Sequence, residues 1–192
     1  MWQTPPVHFL FQTYEMSHAA ISVNIAITPA SVVLGAPCSI TLSATLSHSS
    51  PITIYTWPTV FNLALAQVRK NFWCIDLSNN DEPVRLEFEK GGKRSGWISR
   101  VLGGKHDQFF VTLEPGKAVD ITAPFILTTR LNKLLVAGHR YRFGFREGEC
   151  VGNWMHGTRE EIMLPTGDRT PMGRGGPKIV LDTGPPIEFE VF

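Results

Sequence analysis

Three observations predict an all-β domain for this chain of 192 residues. Apolar and polar residues alternate at a period of two over many short runs, and Gly, Pro, Ser and Asn close those runs at even spacing. Only one short stretch has helix-forming composition. Strands of this length and spacing point to a sandwich or barrel rather than an α/β fold. With 43% hydrophobic residues, the chain can fill one well-buried core, which fits a single domain.

The clearest stretch runs from Asp107 to Phe125, DQFFVTLEPGKAVDITAPF. Phe109, Val111 and Leu113 alternate with polar residues on its first arm, and Val119 and Ile121 do so on its second. Between them, Pro115 presets φ near −65° and Gly116 accepts the positive φ that a type II turn needs. The sequence therefore predicts two strands folded back on each other around Glu114–Lys117.

Taken in order, residues 1–20 carry two prolines and several aromatics ahead of a second methionine, Met16, which is an alternative start. They read either as a flexible leader or as a pairing arm. Ile21, Val23, Ile25 and Ile27 then line one face of a first strand ended by Pro29, and Gly35-Ala36-Pro37 makes a turn. Ile40, Leu42, Ala44 and Leu46 give a second strand, closed by the run from Ser47 to Pro51; Ile52 to Trp57 gives a third, closed by Pro58.

Thr59 to Lys70 is the one helix-like stretch, either a short helix or an irregular crossover. Phe72–Leu77 and Val84–Glu89 read as a hairpin around Ser78-Asn79-Asn80-Asp81. Lys90 to His106 is glycine-rich and basic, with Lys90, Lys93, Arg94, Arg100 and Lys105, and reads as a solvated loop. It does not fit the GxxxxGK[ST] phosphate cradle.

Ile126 to Lys133 links to Leu134-Leu135-Val136. In the strand Arg140–Phe145, Tyr141, Phe143 and Phe145 face the core while Arg140 and Arg142 face out. Residues 146–186 form a Gly- and Pro-rich, loop-rich extension of the same domain. Ile187, Phe189 and Val191 mark a terminal strand, 187–192, that needs an earlier edge to pair with.

Lysine plus arginine number 18 against 17 acids, a net charge of +1. That balance gives no electrostatic case for a nucleic-acid or anionic-membrane partner. No apolar run approaches the roughly 18 residues that span a bilayer. Cys38, Cys74 and Cys150 are widely separated, without CxxC spacing, and allow at most one disulfide. No secretory pattern opens the chain and no Asn-x-Ser/Thr sequon occurs, so the expected compartment is the cytoplasm.

The order of ITIYTWPTVFN, FFVTLEPGKAVDITAPF and LLVAGHRYRFGF resembles the immunoglobulin-like β-sandwich that precedes the catalytic domain of fungal deuterolysin-type and peptidyl-lysine metallopeptidases. It is also similar to stand-alone fungal proteins of unassigned activity. The resemblance covers about Ile21 to Phe145. It implies a single immunoglobulin-like antiparallel β-sandwich over 21–146, with 147–192 as the loop-rich extension, and a habit of contacting other protein surface. It does not imply proteolysis: His8, His18, His48, His106, His139 and His156 are scattered, and no HExxH zinc motif is present.

Two constellations are candidates for binding. The first is the segment from Glu147 to Glu161, which brings Cys150, Trp154, His156 and Arg159 within fifteen residues. Cys150 and His156 are the types for a nucleophile and base or for two metal ligands, and Trp154 is the type for a partner anchor. Read structurally instead, Cys150 is a small buried residue, and Trp154 and Met155 cover an open end of the sandwich. The second is His139 with Arg140 and Arg142, a cationic row able to receive a carboxylate-rich partner or to pair with Glu87 or Glu89.

Catalysis and zinc need further ligands that the spacing does not supply, so no catalytic residue, metal or cofactor is assigned. The expected function is a non-enzymatic binding or protein-interaction domain, whose partner is another protein or an unidentified small ligand. A small-molecule-binding protein or small enzyme with a pocket under residues 147–161, or a protease-associated regulatory module, is the alternative.

Overall fold

The computed structural model describes residues 18–86, 98–165 and 176–192, and its fold is all-β and sandwich-like. In chain order the strands are β1 (Ala20–Thr28), β2 (Ser31–Val32), β3 (Ser39–Ser47), β4 (Ile52–Tyr55), β5 (Phe72–Asp76), β6 (Glu82–Pro83), β7 (Phe110–Leu113), β8 (Ala118–Pro124), β9 (Arg140–Phe145), β10 (Cys150–Val151), β11 (Trp154–His156), β12 (Ile179–Thr183) and β13 (Ile187–Val191). Two single-turn helices join them, α1 (Leu63–Ala66) and α2 (Arg159–Ile162).

One five-stranded sheet has the order β10-β12-β1-β3-β8, and a second has the order β2-β13-β9-β5-β6. A three-stranded sheet, β11-β4-β7, completes the fold. Pairing is antiparallel except between β1 and β12 and between β2 and β13. The alternating residues do what their period requires: Ile21, Val23 and Ile25 of β1 and Ile40, Leu42, Ala44 and Leu46 of β3 are buried, while the residues between them are not.

Tyr141, Phe143 and Phe145 of β9 point into the same core from the second sheet. Phe143 stacks on Phe72 at 4.9 Å and meets Phe125 edge-on at 5.5 Å, and Phe125 meets Phe189 at 5.5 Å. Edge-to-face rings of this kind add to what their buried area supplies.

The stretch around Glu114–Lys117 folds differently from the expected hairpin. Its turn forms: Gly116 has φ +68°, and the Lys117 N–H donates to the Glu114 carbonyl at 3.2 Å. Its arms do not pair with each other. β7 pairs with β4, and β8 pairs with β3 in the large sheet. The physical reason is twist, since an unprimed turn splays the strands that flank it. The chain uses this turn to pass from one sheet to another.

A 3-10 turn at Asp107–Phe109 also shifts the phase of the first arm, so Phe110 is buried instead of Phe109. Thr59–Lys70 yields only the single turn of α1, and Leu134 closes a 3-10 turn rather than opening a strand. In the second predicted hairpin, β6 ends at Pro83; Glu87 and Glu89 lie outside the described residues, as do residues 1–17. Of the basic loop, the described part places Arg100 against the protein: its Nη1 donates to the Ile162 carbonyl at 3.0 Å.

Residues 147–192 supply strands to all three sheets. β10 and β12 extend the first sheet beside β1, β11 pairs with β4, and β13 lies between β9 and β2. Sequence composition marks this region as loop-rich because its strands are short and widely punctuated. The long-range ladders that hold them leave no local trace.

Candidate functional site

The arginine row lies where alternation puts it, on the outer face of β9. Arg140 donates to Glu188 Oε2 at 2.7 Å, and Arg142 donates to Glu188 Oε1 through Nη2 at 2.7 Å and Nε at 3.0 Å. Register explains the choice of acid, since Glu188 of β13 sits directly across from Arg142. Glu188 is exposed, and the hydrogen bond from Arg142, followed by that from Arg140, holds its carboxyl below the usual range. Both guanidiniums are thus engaged by one carboxylate of the same face.

His139 leaves that row. Its Nδ1 lies 2.8 Å from Asp76 Oδ2, and Asp76 is 7% exposed and also accepts the Ser78 N–H at 3.0 Å. Close by, the Tyr141 hydroxyl accepts the Val136 N–H at 2.8 Å. Burial is the main cause that pushes the Tyr141 phenol up. Burial, and then the Asp76 charge, push the Cys74 thiol up to about 12, so it stays protonated and inert at neutral pH. An Asp–His pair can orient a base, yet among the described residues no hydroxyl or thiol is hydrogen-bonded to the other ring nitrogen of His139.

The segment 147–161 is spread over two sheets. Cys150 of β10 lies across from Val180, whereas His156 of β11 lies across from Ile52, so the two do not form a nucleophile–base couple. Trp154 is 5% exposed and donates through Nε1 to the Pro177 carbonyl at 2.9 Å. That burial corrects its assignment as a partner anchor. His156 is exposed and lies between the rings of His48, at 5.5 Å, and Trp154, at 5.0 Å.

Arg159 is a strut. Its Nη2 meets Asp107 Oδ1 at 2.5 Å, and its backbone N–H donates to Thr112 Oγ1 at 2.7 Å. Thr158 and Glu161 form a capping box that starts α2, which fixes the direction in which Arg159 leaves. Beyond it, Ile162 and Met163 pack on Tyr55 and Phe110, with Met155 against them, as a second apolar cluster. Among the described residues, no three His, Cys, Asp or Glu groups gather as metal ligands.

Sequence reasoning missed Trp57. It follows the end of β4 and is 42% exposed, with its ring centroid 4.7 Å from that of Phe109. The Arg69 guanidinium lies 5.7 Å from the Trp57 ring centroid, and its Nη1 donates to the Trp57 carbonyl at 3.2 Å. Asn62 Nδ2 donates to the same carbonyl at 3.4 Å. Phe109 in turn contacts Tyr55, at 6.2 Å between centroids.

The available signal was Trp-Pro directly after a strand: proline ends the ladder there and leaves the tryptophan in a loop. Chemically, the group is an exposed indole held in place from below and beside, with a cation over its ring. No protein-family model matches the chain. No curated protein matches it either.

Proposed function

We propose that this chain is a non-enzymatic protein-interaction domain that docks through loops at one end of its sandwich, with Trp57 as the anchor. The observation that carries this reading is the combination of exposure and immobility at Trp57. A large indole left 42% exposed, yet braced by Phe109 and Arg69, has already lost the conformational freedom that binding would otherwise remove. Loops positioned by a rigid β scaffold are where such folds place their contacts.

The sequence-predicted cationic groups are held within the domain instead. Arg140, Arg142, Arg159 and His139 each have an acidic partner within the domain. The likeness to immunoglobulin-like modules leads to the same expectation, and three free cysteines fit a reducing compartment such as the cytoplasm.

The test is comparative affinity capture with wild type and Trp57→Ala, after circular dichroism has shown that both fold alike. The expected result is that specifically captured proteins fall about tenfold or more with the variant, as for an interface hot spot. Identical capture by the two proteins would refute the reading.

A further inference from the structure

The outer strand of the first sheet, β8, has β3 on one side and, among the described residues, no strand on the other. One bond sets the phase of its ladder. The Phe125 N–H donates to the Cys38 carbonyl at 2.8 Å, and in an antiparallel ladder every second pair then exchanges hydrogen bonds: Ala123 with Ile40, Ile121 with Leu42, Val119 with Ala44. Asp120 with Ser43 and Thr122 with Thr41 are the intervening pairs, whose side chains approach most closely. The side chains agree, with Thr41 and Thr122 hydroxyls 2.8 Å apart and Ser43 donating to Asp120 at 2.6 Å.

The peptide groups of Ala118, Asp120 and Thr122 therefore point away from β3, and the three residues are exposed. Pro124 is next in this outward set. It has no N–H, and its carbonyl accepts Gln67 Nε2 at 3.0 Å, which closes that end. On the inner face Val119, Ile121 and Ala123 are only half-buried, whereas Ile40, Leu42 and Ala44 across from them on β3 are buried. Among the described residues, the edge combines backbone groups that have no partner with an incompletely covered apolar row, the two features that strand addition satisfies together.

We propose that β8 pairs antiparallel with β8 of a second copy of this chain across a two-fold axis, joining the five-stranded sheets of the two copies. The occupant follows from self-complementarity. Inward side chains must meet inward ones, which limits the register to steps of two residues. Centring on Asp120 sets like charges opposite each other. Centring on Thr122 sets Asp120 opposite Pro124, which has no N–H to give.

Centring on Ile121 separates the like charges and moves Pro124 to the two ends of the ladder, opposite Ala118. Val119 then faces Ala123, the outward peptide groups of Asp120 and Thr122 exchange hydrogen bonds, and each Asp120 carboxylate meets a Thr122 hydroxyl that can donate to it. A two-fold contact needs one patch complementary to itself, and this register supplies it.

The experiment is sedimentation velocity and light scattering on the full chain over a wide concentration range. Wild type is expected to show a concentration-dependent monomer–dimer equilibrium. Thr122→Asp puts a carboxylate opposite Asp120 twice by symmetry and is expected to weaken the dimer about tenfold. Adding Asp120→Lys to that variant makes both cross-pairs attractive and is expected to restore it. Circular dichroism confirms that each variant folds. A protein that stays monomeric throughout, a dimer insensitive to Thr122→Asp, or a weakened dimer that the second substitution does not restore overturns the proposal.

Discussion

β7 and β8 are neighbours in sequence, joined by one four-residue turn, and they live in different environments. β7 belongs to the three-stranded sheet, begins and ends on buried residues, and has Thr112 tied to the Arg159 backbone. β8 ends a five-stranded sheet as β7 ends its own, but it has no residue fully buried. Alternation of side chains reports how a strand is wetted on its faces. Which strand completes its hydrogen bonds is set elsewhere in the chain, and the two halves of one smooth sequence pattern can separate at a turn.

The contrast predicts unequal costs. Leu113→Ala, at a residue 0% exposed, should destabilise by about 2–5 kcal/mol in urea unfolding, because the truncation leaves a cavity in the main core. Gly116→Val should cost about 1–2 kcal/mol; a Cβ there meets nothing within 4 Å, so the penalty comes from positive φ alone. An unchanged melting temperature would mean that positive φ at Gly116 carries no cost. Ile121→Ala, half-buried on the edge, should cost about 1 kcal/mol. If it cost as much as Leu113→Ala, the distinction between the two strands would collapse.

The smallest effect belongs to the approach to β7. His106 Nδ1 accepts the Ser99 N–H at 2.9 Å, so the neutral ring is the one that fits. Burial, and then the Lys105 charge, push its pKa below the ordinary 6.5. The unfolded chain therefore takes up this proton first as pH falls. Stability from this group is complete above about pH 6.5 and declines as pH drops through that value towards the lower folded pKa. His106→Gln should remove that part of the acid slope, as read from melting temperatures at pH 7.5 and 5.5.

Several core residues were legible because burial on one face leaves a period of two: Ile21, Val23, Ile40, Leu42, Tyr141 and Phe143 all face inward as their spacing requires. The candidate site was less so. Trp154 drew notice for lying among a thiol, an imidazole and charges, but β11 places it against Pro177. Trp57 looked like the last residue of a strand, and its partners Arg69 and Phe109 stand 12 and 52 positions away in the sequence. Strand order in the sequence points to Glu87 or Glu89 as the acid for Arg140 and Arg142, whereas the acid is Glu188, which β13 delivers from the far end of the chain.

The sequence by itself determined the all-β class, the one-sided burial of β1, β3 and β9, and the turn at Pro115 and Gly116. These follow from local preferences: side-chain alternation along a strand, the fixed φ of proline, and the freedom of glycine. Tertiary structure alone decided that β7 and β8 part company, that residues 147–192 reach all three sheets, and which indole is left at the surface. Those outcomes depend on backbone hydrogen bonds between segments far apart in sequence. Backbone donors and acceptors are nearly the same at every residue, so the choice among partners is made by packing the whole chain at once.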